Sequence, residues 1–100
     1  MIKLSGTIEK IFESEEKASF KKRKLWLKQT LDKYPNVWQI ECWKGDCDML
    51  DSYNQGDFVT CVIDIKGSQF ETNNGIFVMN TLKCWNIEKD GKLFKEIKTQ

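Results

Sequence analysis

Residues 37–67, VWQIECWKGDCDMLDSYNQGDFVTCVIDIKG, predict a strand, a short helix and a second strand. Both strands alternate apolar and outward positions with the period of two that a half-buried strand shows. Asp46 is the predicted N-cap of the helix and Gly56 its predicted end. The positions predicted to share one apolar face are Trp38, Ile40 and Cys42 in the first strand, Met49, Leu50 and Tyr53 in the helix, and Val59, Cys61, Ile63 and Ile65 in the second strand.

Two further strands are predicted at the ends of the chain. Residues 2–12, IKLSGTIEKIF, alternate until Ile8, after which the apolar phase shifts, and Gly6 lies in the middle of the segment. Glycine and an extra residue both allow a strand to bend sharply, so we expect a bent or bulged strand. Residues 13–19 are predicted to be a polar loop. Residues 68–75, SQFETNNG, are predicted to be a hairpin loop with an Asn-Gly turn, followed by the last long strand over residues 76–88.

The segment FKKRKLWLKQTL, residues 20–31, is predicted to be the second strand. As a strand it would send Leu25, Leu27 and Leu31 inward and an aromatic and basic row outward. A helix is the alternative, since lysine, leucine and glutamine are good helix formers. The period of two separates the two sets more cleanly and favours the strand.

Three strands, one short helix and two strands follow one another in the order of the OB-fold. This is an all-β, five-stranded Greek-key barrel with a short helix between strands 3 and 4. A five-stranded sandwich is the alternative. We expect residues 1–88 to form the OB-fold domain and residues 89–100 to form a C-terminal extension, either a short strand or a mobile tail.

Charge is distributed unevenly along the chain. The formal net charge is +1, yet residues 17–33 carry seven basic residues and one acidic residue, whereas the remainder carries nine basic and fourteen acidic residues. No apolar run approaches the roughly 20 residues of a membrane-spanning helix, and no secretory signal pattern is present, so we expect a cytoplasmic protein without a membrane partner.

Composition also argues against catalysis and metal binding. The chain has no histidine and no glycine-rich phosphate loop, which predicts a protein that is not an enzyme. Four residues separate Cys42 from Cys47, but Cys61 and Cys84 are isolated. We therefore predict four reduced thiols, with no metal and no cofactor.

Residues 37–67 resemble the matching part of bacterial-type single-stranded DNA-binding proteins. Across residues 1–88 the chain also resembles a family of small OB-fold proteins from bacteria and phages, which share Tyr34-Pro35, the corner from Trp43 to Asp46 and the strand NTLKCWNI, residues 80–87. The resemblance implies a role in DNA replication or repair, with Trp43 and Trp26 on the binding face. The end of the chain, KEIKTQ, lacks the acidic, phenylalanine-tipped tail of typical members.

The expected function is sequence-independent binding of single-stranded DNA, in which bases stack on aromatic rings and lysines contact phosphates. RNA is an alternative ligand, and homo-oligomerisation is left open. The competing interpretation is a protein-interaction or structural accessory module, in which the lysines only solubilise an edge and Trp26 packs against the C-terminal tail or another subunit. The candidate nucleic-acid-binding residues are Phe20, Lys22, Lys24, Trp26, Lys28, Trp43 and Phe70.

Overall fold

The computed structural model describes residues 2–30 and 33–96. These residues form seven strands and one 3-10 helix. The elements are β1 (Ile2–Ile11), β2 (Glu15–Lys17), β3 (Phe20–Gln29), β4 (Asn36–Trp43), the 3-10 helix (Lys44–Ser52), β5 (Phe58–Thr72), β6 (Gly75–Lys89) and β7 (Lys92–Leu93).

Five of the strands close into a barrel. They are ordered β1-β5-β6-β4-β3, and β1 pairs with β3 as well, which joins the two edges. The β4–β6 pairing is parallel, whereas β1–β3, β1–β5, β3–β4 and β5–β6 are antiparallel. A closed five-stranded barrel with a short helix between its third and fourth strands is the OB-fold, so the predicted fold class is confirmed.

The bend of β1 allows one strand to serve two partners. Residues 2–7 pair with β5, and residues 7–11 pair with β3, with a register shift between Ile8 and Lys10. A Cβ atom at Gly6 would lie 2.5 Å from the carbonyl oxygen of Lys28. Glycine is therefore required where β1 crosses closest to β3, and the predicted bend and bulge are confirmed.

The second predicted strand is β3. Leu25 and Leu27 are fully buried in the barrel, as the period of two predicts, and the segment is extended from Phe20 to Gln29. Leu31, which was expected to face inward as well, lies outside the described residues. Intrinsic helix propensity is outweighed here by two ladders of backbone hydrogen bonds, to β1 and β4, and by the burial of the leucines.

The core fills the barrel and extends under the helix. Fully burying an aliphatic side chain stabilises the fold by about 1.5–3 kcal/mol, so these positions supply most of the favourable free energy. The buried core residues are Ile8, Leu25, Leu27, Ile40, Cys42, Met49, Leu50, Tyr53, Val59, Cys61, Ile63, Cys84 and Ile87.

The helix differs from the prediction at both ends. It is a 3-10 helix that begins at Lys44, and Trp43 occupies the N-cap position without a side-chain cap, so the prediction of Asp46 as the N-cap is wrong. It ends at Ser52, well before Gly56, because Tyr53 is already extended and buried. Met49 and Leu50 still point into the core.

The hairpin loop predicted at residues 68–75 is also wrong, because β5 and β6 remain paired up to Thr72 and Gly75. The turn is closed by Thr72, whose hydroxyl donates to the Gly75 carbonyl oxygen at 3.2 Å and accepts from Asn74 N–H at 3.2 Å. A tight turn does join the two strands, but its central residues are Asn73 and Asn74 and not the predicted Asn74-Gly75, because Gly75 already begins β6. The polar residues before the turn continue β5. As a result, Phe70 lies on a strand of a long hairpin and not in a loop.

The short strand β2 was not predicted, whereas a short strand such as β7 was one of the two alternatives given for the C-terminal extension. β2 lies within the segment expected to be a polar loop and pairs with the start of β3. β7 pairs with the end of β6, and Phe94 packs beside Tyr53 with 6.3 Å between ring centroids. Residues 97–100, the end of the predicted C-terminal extension, lie outside the described residues.

Cys42, Cys47, Cys61 and Cys84 are buried free thiols. Sulfur hydrogen bonds to Cys84 and burial in the core raise the pKa of both Cys42 and Cys61. Cys42 and Cys61 therefore stay protonated and behave as small apolar side chains. Within residues 2–30 and 33–96, no helix has the length and apolar character needed to span a membrane.

Candidate nucleic-acid interface

The outward row of β3 alternates with its buried leucines and lies on the barrel surface. Phe20 is exposed, whereas Lys22, Lys24, Trp26 and Lys28 are half-buried because neighbouring strands flank them. Across the β3–β4 ladder, Lys22 pairs with Trp43 and Lys24 with Glu41. The sheet register therefore places two candidate residues from different strands side by side.

Candidate residues from three strands line one groove, which we call the aromatic groove. It has a volume of about 700 Å³. Its lining comes from β2, β3, the end of β4 and the long β5–β6 hairpin. Its residues are Glu15, Glu16, Lys17, Phe20, Lys22, Lys24, Glu41, Trp43, Ser68, Phe70, Met79 and Thr81.

Trp43 lies at one end of this groove and is fixed by three contacts. Its Nε1 donates to Glu41 Oε1 at 3.0 Å. The ring of Phe20 meets it edge-on, with centroids 5.5 Å apart. Lys83 Nζ lies 5.2 Å from its ring centroid, within the range of a cation–π interaction. A ring held in this way is ordered before any ligand arrives, which reduces the entropy lost on binding.

Trp26 lies in a neighbouring groove of about 450 Å³ that shares Lys24 and Glu15 with the aromatic groove. Its ring packs edge-on against Phe12, with centroids 5.0 Å apart, and its Nε1 donates to Gln39 Oε1 at 3.2 Å. In the described part of the chain, the ring that packs on Trp26 thus comes from the residue directly after β1 and not from the C-terminal extension.

Lys28 is placed apart from the other candidates. It lines a separate groove at the opposite end of β3, together with Lys3 and Phe58. The aromatic groove brings together Phe20, Lys22, Lys24, Trp43 and Phe70. Trp26 lines the adjacent groove, and Lys28 lines neither of the two.

Acidic side chains partly neutralise the basic row. Lys22 Nζ lies 4.0 Å from Glu15 Oε2, and Lys21 Nζ donates to Asp48 Oδ1 at 3.1 Å. The hydrogen bond with Asp48 and its charge raise the pKa of Lys21, which therefore stays positively charged. Exposed ion pairs of this kind contribute little to stability, so a ligand can displace them at small cost.

Four residues beside the candidates were not identified from the sequence: Phe12, Phe77, Met79 and Lys83. Phe12 follows the β1 bulge, and its contact with Trp26 depends on that bend. Phe77 lies opposite Phe70 in the hairpin, and Met79 lies opposite Ser68. Because residues 68–75 were predicted to form a loop, neither of these pairings was expected. Lys83 was missed because its position over Trp43 depends on the parallel β4–β6 pairing, for which the sequence has no local signal.

The structure offers no evident metal centre in the part it describes. Among residues 2–30 and 33–96, no group of three or more histidine, cysteine, aspartate or glutamate side chains could hold an ion. The absence of a metal and of a cofactor remains a prediction.

The model of a protein family described as a domain of unknown function, DUF3127, matches residues 3–88. The chain belongs to this family. No curated protein matches the DUF3127 chain significantly.

Solved structures resemble this DUF3127 domain in fold. One is the mitochondrial single-stranded DNA-binding protein Rim1 from S. cerevisiae, with a TM-score of 0.69 and 18% identity over 89% of this chain and 92% of that one. A selenomethionine-labelled form of Rim1 aligns with a TM-score of 0.66 and 18% identity over 94% of this chain and 93% of that one. The likeness supports the OB-fold barrel. A bacterial or phage source stays a prediction.

Proposed function

We propose that this DUF3127 protein binds single-stranded DNA without strong sequence preference and without catalysing a reaction. The observation that carries the proposal is the aromatic groove, in which Phe20, Trp43 and Phe70 come from three strands and share one surface with Lys22 and Lys24. The fold shared with Rim1, a mitochondrial single-stranded DNA-binding protein, also supports the proposal.

The groove has the two chemical features that an unpaired strand requires. Exposed bases are flat and stack on aromatic faces, and phosphates need nearby cations. Phe70 and Phe20 are 49% and 37% exposed, so their rings are accessible without unfolding the barrel. Stacking contributes about 1–3 kcal/mol per base, so two or three stacked bases with several phosphate contacts are sufficient for micromolar binding, which requires about −8 kcal/mol.

Titration of tryptophan fluorescence with oligo-dT at low and moderate salt tests the proposal. Trp43 and Trp26 line adjacent grooves, so binding is expected to quench emission, and affinity is expected to fall steeply as salt increases. Absence of saturable binding to oligo-dT at low salt would refute the function.

Two alanine variants and one control locate the site. Phe70→Ala and Trp43→Ala are each expected to weaken binding by about 1–3 kcal/mol. Tyr34→Ala is the matched control, because Tyr34 is 78% exposed in the β3–β4 turn and lines none of the grooves described above. Equal losses for all three variants would show that binding does not use the aromatic groove.

The same titration with oligo-dU and oligo-rU separates DNA from RNA binding. A site that reads bases by stacking and phosphates by charge makes few contacts with the sugar, so we expect the two affinities to be within about tenfold of each other. A larger preference for the ribose strand would identify RNA as the ligand.

The second candidate function is that of a protein-interaction or homo-oligomeric module. The observation that favours it is the opposite face of the β5–β6 hairpin, where Ile65, Ile76 and Val78 are 58%, 63% and 71% exposed. Exposed apolar side chains on neighbouring strands are typical of interfaces. Light scattering at micromolar concentration distinguishes a monomer from an oligomer, and Val78→Glu is expected to dissociate an oligomer that uses this face.

A further inference from the structure

A second groove continues from the aromatic groove on the far side of Trp43. It has a volume of about 570 Å³, and the two grooves share Trp43 and Ser68. Its walls come from the start of the 3-10 helix and from the base of the β5–β6 hairpin. We call it the lysine groove, after Lys44, Lys66 and Lys83.

The two grooves differ in charge. Three lysines of the aromatic groove face three glutamates in the same lining, so its formal charge is balanced. Among the described residues that line the lysine groove, three are lysines and Asp46 is the acidic one. The excess of positive charge among the lining residues therefore lies in the lysine groove, beyond Trp43, and not in the aromatic groove beside β3, where the sequence pattern had suggested it.

The C-terminal extension neutralises Asp46. Lys95 Nζ forms a close ion pair with Asp46 Oδ1. Lys95 is itself held by Asn86, whose fully buried side chain accepts from Lys95 N–H at 2.9 Å and donates to the Lys95 carbonyl oxygen at 2.9 Å. The extension thereby adds a fourth lysine at the acidic end of the groove.

We propose that the lysine groove holds phosphates of the bound strand, while the aromatic groove beside it holds the bases. The inference rests on the proposed function and assigns a different chemical role to each side of Trp43. The electrostatic free energy of binding a phosphate is most favourable where cations outnumber acids. A base stacks equally well in an electrically balanced groove. Trp43 lies at the boundary, with Lys83 over its ring.

The salt dependence of oligo-dT binding tests the division between the grooves. On a single strand, each phosphate contact contributes about 0.7 to the slope of log K against log salt concentration. The triple variant Lys44→Gln, Lys66→Gln and Lys83→Gln is expected to lower the slope by about 2. The matched triple variant Lys17→Gln, Lys22→Gln and Lys24→Gln removes the same charge from the aromatic groove and is expected to lower it by less than about 1.

Equal slopes for the two variants, or a larger loss in the aromatic-groove variant, would overturn the inference while leaving the proposed function intact. Failure of the unmodified protein to bind would refute the function itself. Because Lys83 contacts Trp43, the double variant Lys44→Gln and Lys66→Gln is measured as well, and its slope should fall by about 1.4. Thermal unfolding of each variant shows whether the fold is retained.

The role of Lys95 is tested by a charge rescue. Lys95→Met removes the ion-pair partner of Asp46, whose negative charge then repels a phosphate in the groove. This variant is expected to bind oligo-dT roughly two- to fivefold more weakly at low salt. Adding Asp46→Asn to Lys95→Met restores the groove charge and should restore the affinity. Unchanged affinity in Lys95→Met, or no recovery in the double variant, would contradict a phosphate site at this end of the groove.

Discussion

Replacing Glu41 with glutamine is expected to tighten the binding of single-stranded DNA. Glu41 is the acidic residue of β4 within the aromatic groove, paired across the ladder with Lys24 and close to Trp43. Its Oε1 accepts the hydrogen bond from Trp43 Nε1 at 3.0 Å. Glutamine keeps an acceptor oxygen for this bond, so Glu41→Gln removes the charge and preserves the orientation of the ring.

The size of the effect follows from Coulomb's law. A carboxylate and a phosphate about 7 Å apart, at an effective dielectric constant of about 40–80 for an open groove, repel each other by about 0.6–1.2 kcal/mol. Removing this repulsion corresponds to affinity about three- to eightfold higher at low salt, and the gain should shrink as salt screens the charges.

Fluorescence titration with oligo-dT at low salt measures this gain for three variants. Glu9→Gln is the charge-matched control, because Glu9 is exposed on β1 and lines none of the grooves described above. Glu41→Ala loses the acceptor for Trp43 together with the charge, and its gain should be smaller than that of Glu41→Gln. If Glu41→Gln binds no more tightly than Glu9→Gln, the strand does not pass beside Trp43.

Two further predictions concern stability. Gly6→Ala forces a Cβ atom against the Lys28 carbonyl oxygen and should lower the free energy of unfolding by about 1–3 kcal/mol in urea titrations. Gly67→Ala is the control, because its Cβ atom meets only ordinary contacts, and it should change the free energy of unfolding by less than about 0.5 kcal/mol. Similar values for the two variants would contradict the close crossing of β1 and β3. Above about pH 8.5 the thiols of Cys42 and Cys61 ionise in the unfolded chain, whereas their raised pKa values keep both protonated in the folded state. Stability should therefore be constant below about pH 8.5 and should fall above it, by at most about 1.4 kcal/mol per pH unit for each thiol. Urea unfolding under reducing conditions at pH 7.5 and 9.5 measures this loss of stability. The loss should be smaller in Cys61→Ala, which has one buried thiol fewer. A stability that does not depend on pH would contradict the burial of the thiols.

Patterns with a period of two predicted the barrel because each strand has one face in the core. Leu25 and Leu27 in β3, and Ile40 and Cys42 in β4, are fully buried as their alternation requires. Gly6 marked the bend of β1 for a similar reason, since a side chain at that position would collide with the neighbouring strand. In each case a local residue pattern reflects a constraint that any closed barrel imposes.

The long hairpin was not predictable in the same way. Beyond Ile65, all residues of β5 and the first residues of β6 are exposed, so no buried face leaves an alternating pattern in the sequence. The polar sequence of residues 68–75 predicts a loop, yet five residue pairs, from Ser68 and Met79 to Thr72 and Gly75, join this segment to β6. The position of Phe70 beside Phe20 and Trp43 therefore became visible only in three dimensions.

The charge of the interface shows why a basic run in a sequence does not by itself define a phosphate site. The lysines of β3 are adjacent in sequence, but β2 and β4 bring Glu15 and Glu41 into the same groove. Lys44, Lys66 and Lys83 are scattered along the chain and converge beyond Trp43, where the acidic residue among the described lining residues is already paired. Potential depends on the sum of charges over a surface, and the fold, not the order of residues, determines which charges are summed.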